Sequence, residues 1–141
     1  MSDPFDLQRF VSAQDGSCAQ ALDEIRRGRK QSHWMWFVFP QIEGLGSSPT
    51  ARRYAIRSRD EARAYLAHPV LGPRLREITE VAAALTQGSA RSIFGTPDDM
   101  KLRSSLTLFR EVAEGDDRAL FAGALDRFFE GQADEETLRR L

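Results

Sequence analysis

The sequence contains a single cysteine, Cys18, among 141 residues. No internal disulfide framework can form, and no cysteine-cluster metal site is available. A reducing, cytoplasmic setting is therefore expected. Charge of one sign is also missing. Twenty Lys and Arg stand against 21 Asp and Glu, for a net charge of −1 and a pI near 6.1. The chain as a whole offers no bulk attraction to nucleic acid or to anionic lipid. Long apolar runs are absent: the longest, Trp34 to Phe39, is six residues, far short of a membrane span. The opening MSDPFDLQRF lacks a basic lead-in and an apolar core, so no secretory signal is expected. No segment alternates with period two over a useful length, and no internal repeat or linker interrupts the chain. There is no phosphate-cradling glycine loop, no zinc-binding helix motif and no Gly-x-Ser-x-Gly elbow.

What is present is an ordinary globular composition, 41% hydrophobic and 29% charged. At this length it suffices for one domain with a real core. The most unusual stretch is GRKQSHWMWFVFPQIEGLG, Gly28 to Gly46. It holds both tryptophans, one of the two histidines, two cations at its start and two glycines at its end. Six uninterrupted apolar residues indicate burial, and periodicity alone leaves helix and strand open. Helical neighbours and a single β-branched residue, Val38, favour a short buried helix. The plain reading is core. The sharper one is an aromatic wall with convergent polar groups, the usual make-up of a small-ligand pocket.

Helix signals fill the rest. Asp3-Pro4 reads as a cap and first turn leading through Phe5, Leu7, Phe10 and Val11. Ser17 opens a second helix that stops at Gly28. Ser48-Pro49 starts another. Ser58 to Glu61 fits a capping box and predicts a helix from about Arg59 to Ala67, ended by His68-Pro69. Leu71, Leu75, Ile78, Ala82 and Leu85 form a stripe that fades near Gly88. A turn over 89–95 precedes Thr96-Pro97-Asp98-Asp99, read as capping threonine, first-turn proline and two acids. Asp116 or Asp117 is expected to cap the next helix and Asp134 the last. The fold expected is a single all-α domain over 1–141, with about seven or eight helices of mixed length.

Three clusters bear on chemistry. Lys101, Ser104 and Ser105 share one helix face, where a lysine can activate a hydroxyl; a solvated helix turn is the plain alternative. His33 sits at the edge of the aromatic run with a side chain that titrates near neutrality, and a hydrogen-bonded core histidine is the plain alternative. Arg52, Arg53, Arg57, Arg59 and Arg63 make a local basic stripe able to meet phosphate groups, although such stripes are commonly just solvated.

Several blocks taken together resemble a known bacterial family. They are DPFDLQRFVSAQ, GRKQSHWMWFVFPQIEGLGSS, RYAIRS followed by EARAYLAHPVLGPRL, IFGTPDDMKLRSSLTLF and GQADEETL. In this order they resemble the domain-of-unknown-function family numbered 1810, some members of which carry an inherited "calpastatin" label. That label does not suit this sequence, because a calpain inhibitor of that kind is an extended disordered chain. The resemblance implies a compact, mainly helical domain without an assigned activity. It also implies that signature residues converge on one pocket, with the Lys30–Gln41 segment as one wall and the Lys101–Thr107 helix as the other.

The roles then expected are catalytic for His33, Lys101 and Ser105, and ligand-binding for Lys30, Trp34, Trp36, Gln41, Ser104 and Thr107. Lys30 and Lys101 would neutralise an anionic ligand, and a tryptophan would stack on its ring. No cofactor or metal is expected. A small anionic nucleotide- or ribose-like ligand ranks first as partner, with binding and hydrolysis both left open as its fate. A protein-interaction module built on Trp34 to Phe39 ranks second, and nucleic-acid binding through the arginine stripe third. No membrane partner is expected, and oligomeric state is left open.

Overall fold

The computed structural model describes residues 3–141, and among them the regular structure is entirely helical. Ten helices follow in order: α1 Gln8–Asp15, α2 Cys18–Arg26, α3 Met35–Val38, α4 Pro49–Arg53, α5 Arg59–Ala67, α6 Leu71–Ala84, α7 Ala90–Phe94, α8 Asp98–Val112, α9 Gly115–Phe129 and α10 Glu135–Arg140. The count exceeds seven or eight because single-turn pieces, α3, α4 and α7, register as helices of their own. A lone parallel bridge joins Ile42 to Ile56.

Local chemistry explains most boundaries. Ser48, Ser58 and Asp134 accept from the backbone N–H groups of Ala51, Glu61 and Thr137, as capping side chains do. His68, extended before Pro69, ends α5. Four expectations need correction. The first helix begins at Gln8, not at Asp3-Pro4. The Asp3 carboxylate reaches past a turn to accept from Leu7 and Gln8 N–H, and these bonds hold its pKa below the ordinary range. The Ser58–Glu61 box is half formed, because the Glu61 carboxylate turns to Arg57 N–H and Arg9; the complete box is Ser89 with Ser92. Thr96 does not cap α8. Pro97 holds the N-cap position, and the Thr96 hydroxyl donates to the Asp99 carboxylate. Glu114, not Asp116 or Asp117, precedes α9, and the two aspartates occupy its first turn.

Packing centres on α8, which lies against α5, α7, α9 and α10, while α6 bridges α2, α5 and α9. Two chains of aromatic rings run through the interior. One passes from Phe10 edge-on to Tyr65 at 5.1 Å, then to Phe109 and Phe121. The other runs from Phe39 to Phe94 to Phe128. Edge-to-face pairs at such spacings add to the burial term. Buried Gln14 is paired, donating to Phe37 O and Tyr65 Oη. Arg9 joins α1 to the Arg53–Ala55 turn and to Glu61 at 2.7 Å. Gly72 is needed where α6 starts, since a Cβ there would sit 2.1 Å from Leu66 O.

Candidate functional site

The aromatic segment is fixed from below by one buried acid. Glu24 on α2 is 5% exposed. Its carboxylate accepts from Gln31 N–H at 2.8 Å, Ser32 N–H at 3.0 Å, the Ser32 hydroxyl at 2.6 Å and Trp34 Nε1 at 2.9 Å. Burial alone would raise its pKa. The four donors outweigh that and hold it at about 2. Trp34 is thereby drawn into the core at 1% exposure. The single turn of α3 buries Met35, Phe37 and Val38 and leaves Trp36 half-exposed, because residues 100° apart cannot all face inward.

Trp36 meets a charged cluster. Lys101 Nζ lies 4.6 Å from the Trp36 ring centroid. The same ammonium is 3.4 Å from one oxygen of Asp98, and Lys30 Nζ is 2.8 Å from the other. The Lys30 side chain is 6% exposed. Its ammonium also donates to Ser32 O and lies over the Trp34 ring. Two cations therefore share one carboxylate.

Two of these groups, Trp36 and Lys101, border a cavity of about 510 Å³, within the range of small-molecule sites. Trp36, Gln41, Lys101 and Ser104 line it, with Leu45, Ser47, Met100 and Asp134 around them. Gln41 is positioned by its backbone, whose carbonyl accepts from Ile56 N–H at 2.8 Å. Among the described residues its side-chain amide makes no hydrogen bond and is open to a ligand. Arg52 holds the loop over the cavity through Ser47 O at 2.7 Å. Gly44, at φ +99°, admits the Arg140 guanidinium where a Cβ would collide. Arg103 pins the opposite wall by donating to Gln132 O and Ala133 O.

The residues singled out from sequence divide accordingly. Trp36, Gln41, Lys101 and Ser104 come together at the cavity, whereas Lys30 does not line it and is tied to Lys101 through the shared Asp98. Trp34 does not, because its ring is packed between Phe39 and Phe94. Thr107 is fully buried and structural: its hydroxyl donates to Arg103 O and accepts from Asp134 N–H. Ser105 is fully buried and is the orphan among the described side chains, its hydroxyl lacking any partner. Ser104 donates to Met100 O at 3.1 Å rather than to a base. His33 is exposed and does not line the cavity.

The sequence reading missed Glu24 and underrated Asp98. Asp98 was legible only as a helix-start charge. Its bridging of two lysines depends on the approach of residue 30, which no local signal announces. The Trp34–Phe39 segment forms no continuous exposed patch, since every residue in it except Trp36 is buried. The arginine stripe is not wholly free either. Arg52 bonds Ser47 O, Arg59 bonds Leu141 O and Arg63 pairs with Asp60. Among the described residues, no three His, Cys, Asp or Glu side chains gather as metal ligands. No helix among the described residues is long and apolar enough to cross a membrane.

Residues 4–141 match the family described as "Protein of unknown function (DUF1810)", and the chain belongs to that family. Among solved structures it is similar to the conserved hypothetical protein Rv1873 from Mycobacterium tuberculosis, a crystal structure. The two share 50% sequence identity over 99% of this chain and 98% of that one, with a TM-score of 0.95. No curated protein matches.

Proposed function

We propose that the Trp36 cavity binds a small anionic ligand carrying a ring, of nucleotide- or ribose-like character. The observation that carries this reading is the sharing of Asp98 by Lys30 and Lys101 at the edge of a cavity of about 510 Å³. One carboxylate cannot neutralise two ammonium groups, so a positive charge is left over beside an aromatic face. On the opposite wall Glu136 is paired with Arg139, whereas the Asp134 carboxylate, held by the neutral Thr137 N–H and hydroxyl, keeps its charge, which directs an anion to the Lys101 side of the cavity. The unengaged Gln41 amide offers both a donor and an acceptor for hydroxyls or a ring edge. The indole of Trp36 offers a stacking surface once Lys101 moves to the anion.

Binding is better supported than turnover. A serine nucleophile needs a base within hydrogen-bond reach. Ser105 is enclosed, Ser104 donates to a helix carbonyl and His33 stands outside the cavity.

The test is thermal unfolding with nucleoside monophosphates and ribose 5-phosphate. Ligand at 100 times its Kd stabilises by about 2.7 kcal/mol, a rise in Tm of roughly 5–10 °C for a domain of this size. The rise should vanish in Trp36→Ala and in Lys101→Ala. A panel that leaves Tm unchanged, or a shift that both variants retain, refutes the proposal.

A further inference from the structure

Part of the arginine stripe lies at a second cavity that shares no residue with the Trp36 site. It has a volume of about 470 Å³ and lies where α1, the turn after α4 and the start of α5 meet. Its floor is the Arg9–Glu61 ion pair, 2.7 Å long, with side chains 10% and 2% exposed. Arg9 is fully engaged, donating also to Phe5 O, Asp6 O, Arg53 O and Ala55 O. Glu61 accepts from the Arg9 guanidinium and from the Arg57 backbone N–H.

Two other arginines line the same cavity, Arg53 and Arg57. Both residues are exposed, and among the described residues neither side chain makes a hydrogen bond or an ion pair. Arg53 rests over the Tyr54 ring at 5.6 Å, which limits where it can point. Their neighbours along the stripe, Arg52, Arg59 and Arg63, are all engaged elsewhere. With Arg9 and Glu61 cancelling, two free cations face the single carboxylate of Asp6.

We propose that this cavity is a second binding site, taking the phosphoryl group of a small phosphomonoester. Guanidinium forks match phosphoryl oxygens in bidentate geometry, and a phosphomonoester carries close to two negative charges near neutral pH. Ser58 adds a donor: its oxygen already accepts from Glu61 N–H, so its proton is available to a phosphoryl oxygen. Phe5 and Pro4 supply an apolar wall for the remainder of the molecule. The backbone atoms of Arg53 and Arg57 do the structural work here, through Arg53 O and Arg57 N–H. Truncating either side chain therefore leaves the frame in place.

The experiment is NMR titration of the Arg Nε–Hε signals with inorganic phosphate and with phenyl phosphate. A single-stranded oligothymidylate serves as a phosphodiester comparison. The expected result is saturable movement of the Arg53 and Arg57 signals with both phosphate probes. Affinity should fall about tenfold for each arginine removed, the worth of one charged hydrogen bond, read in the variants at the backbone amide signals of Asp6 and Ser58, which line the cavity, and that response should be lost in the Arg53→Ala/Arg57→Ala double variant. Lys101→Ala should leave it unchanged, which separates this site from the Trp36 cavity. The proposal is overturned by unmoved signals or by a response that survives in the double variant. It is equally overturned by a response that disappears in Lys101→Ala, or by binding of the oligonucleotide alone.

Discussion

Replacing Glu24 by Gln isolates the charge of one buried carboxylate while keeping its shape. In the wild type, Oε1 accepts three hydrogen bonds and Oε2 accepts one from the Ser32 hydroxyl. A glutamine can keep the first three through its carbonyl and donate its amide to Ser32 Oγ, so the bond count survives and the charge does not. The folded protein holds Glu24 at about 2 against an ordinary value of 4.5. That difference corresponds to about 3 kcal/mol of stability. The sign follows from the depressed value: the ionised form is favoured by folding. The contribution is complete above pH 4.5 and declines as pH falls towards 2. Urea unfolding of both proteins at several pH values should show Glu24→Gln less stable by about 3 kcal/mol at pH 7, with the gap falling to about 2 kcal/mol at pH 3.5. Other carboxylates titrate in both proteins and cancel in the difference. A gap that stays constant across this range would refute the assignment of the stabilisation to the ionised carboxylate.

Two further variants probe the polar interior. Arg9→Ala should cost about 3–5 kcal/mol, because it leaves the Glu61 carboxylate buried without its partner. Denaturant midpoints would check this, and a loss under about 1 kcal/mol would mean that water compensates Glu61. Ser105→Ala should be neutral or stabilising by up to about 1 kcal/mol, since it removes a fully buried hydroxyl that has no hydrogen-bond partner. A fall in Tm would show that the hydroxyl is bonded in solution.

Most of the fold was legible where the determining chemistry is local. A serine before proline at Ser48-Pro49, an aspartate before two glutamates at Asp134 and a histidine before Pro69 act within one turn, and each marks a boundary at its expected place. Expected capping contacts failed, without moving the boundary of α5, where a side chain had a better partner elsewhere. Glu61 completes no capping box because Arg9, 52 residues away, approaches it. The site was legible only in part for the same reason. Lys101 and Ser104 share a face by helix geometry alone, whereas the meeting of Lys30 with Asp98 depends on how α8 packs beside residue 30. The reading could not separate Ser104, which lines the cavity, from Ser105, which points into the core, although both sit beside Lys101 on the helix.

The two tryptophans show how the interior sets the surface. By composition they are equivalent, two indoles in one apolar run. Glu24 breaks the equivalence by accepting the Trp34 N–H, and Phe94 closes on the same ring at 6.4 Å. With residue 34 fixed inward, one helical turn dictates the rest: 35, 37 and 38 are buried and 36 emerges. Lys30 is placed by the same group of bonds, because Ser32, which accepts from its ammonium, is itself held by Glu24. The cavity's aromatic face, and the lysine that shares Asp98 with the cavity's Lys101, thus hang from a carboxylate that does not line it. Weakening Glu24 should therefore loosen Trp36 and Lys30 together, a coupling that nothing near residue 36 in the sequence reveals.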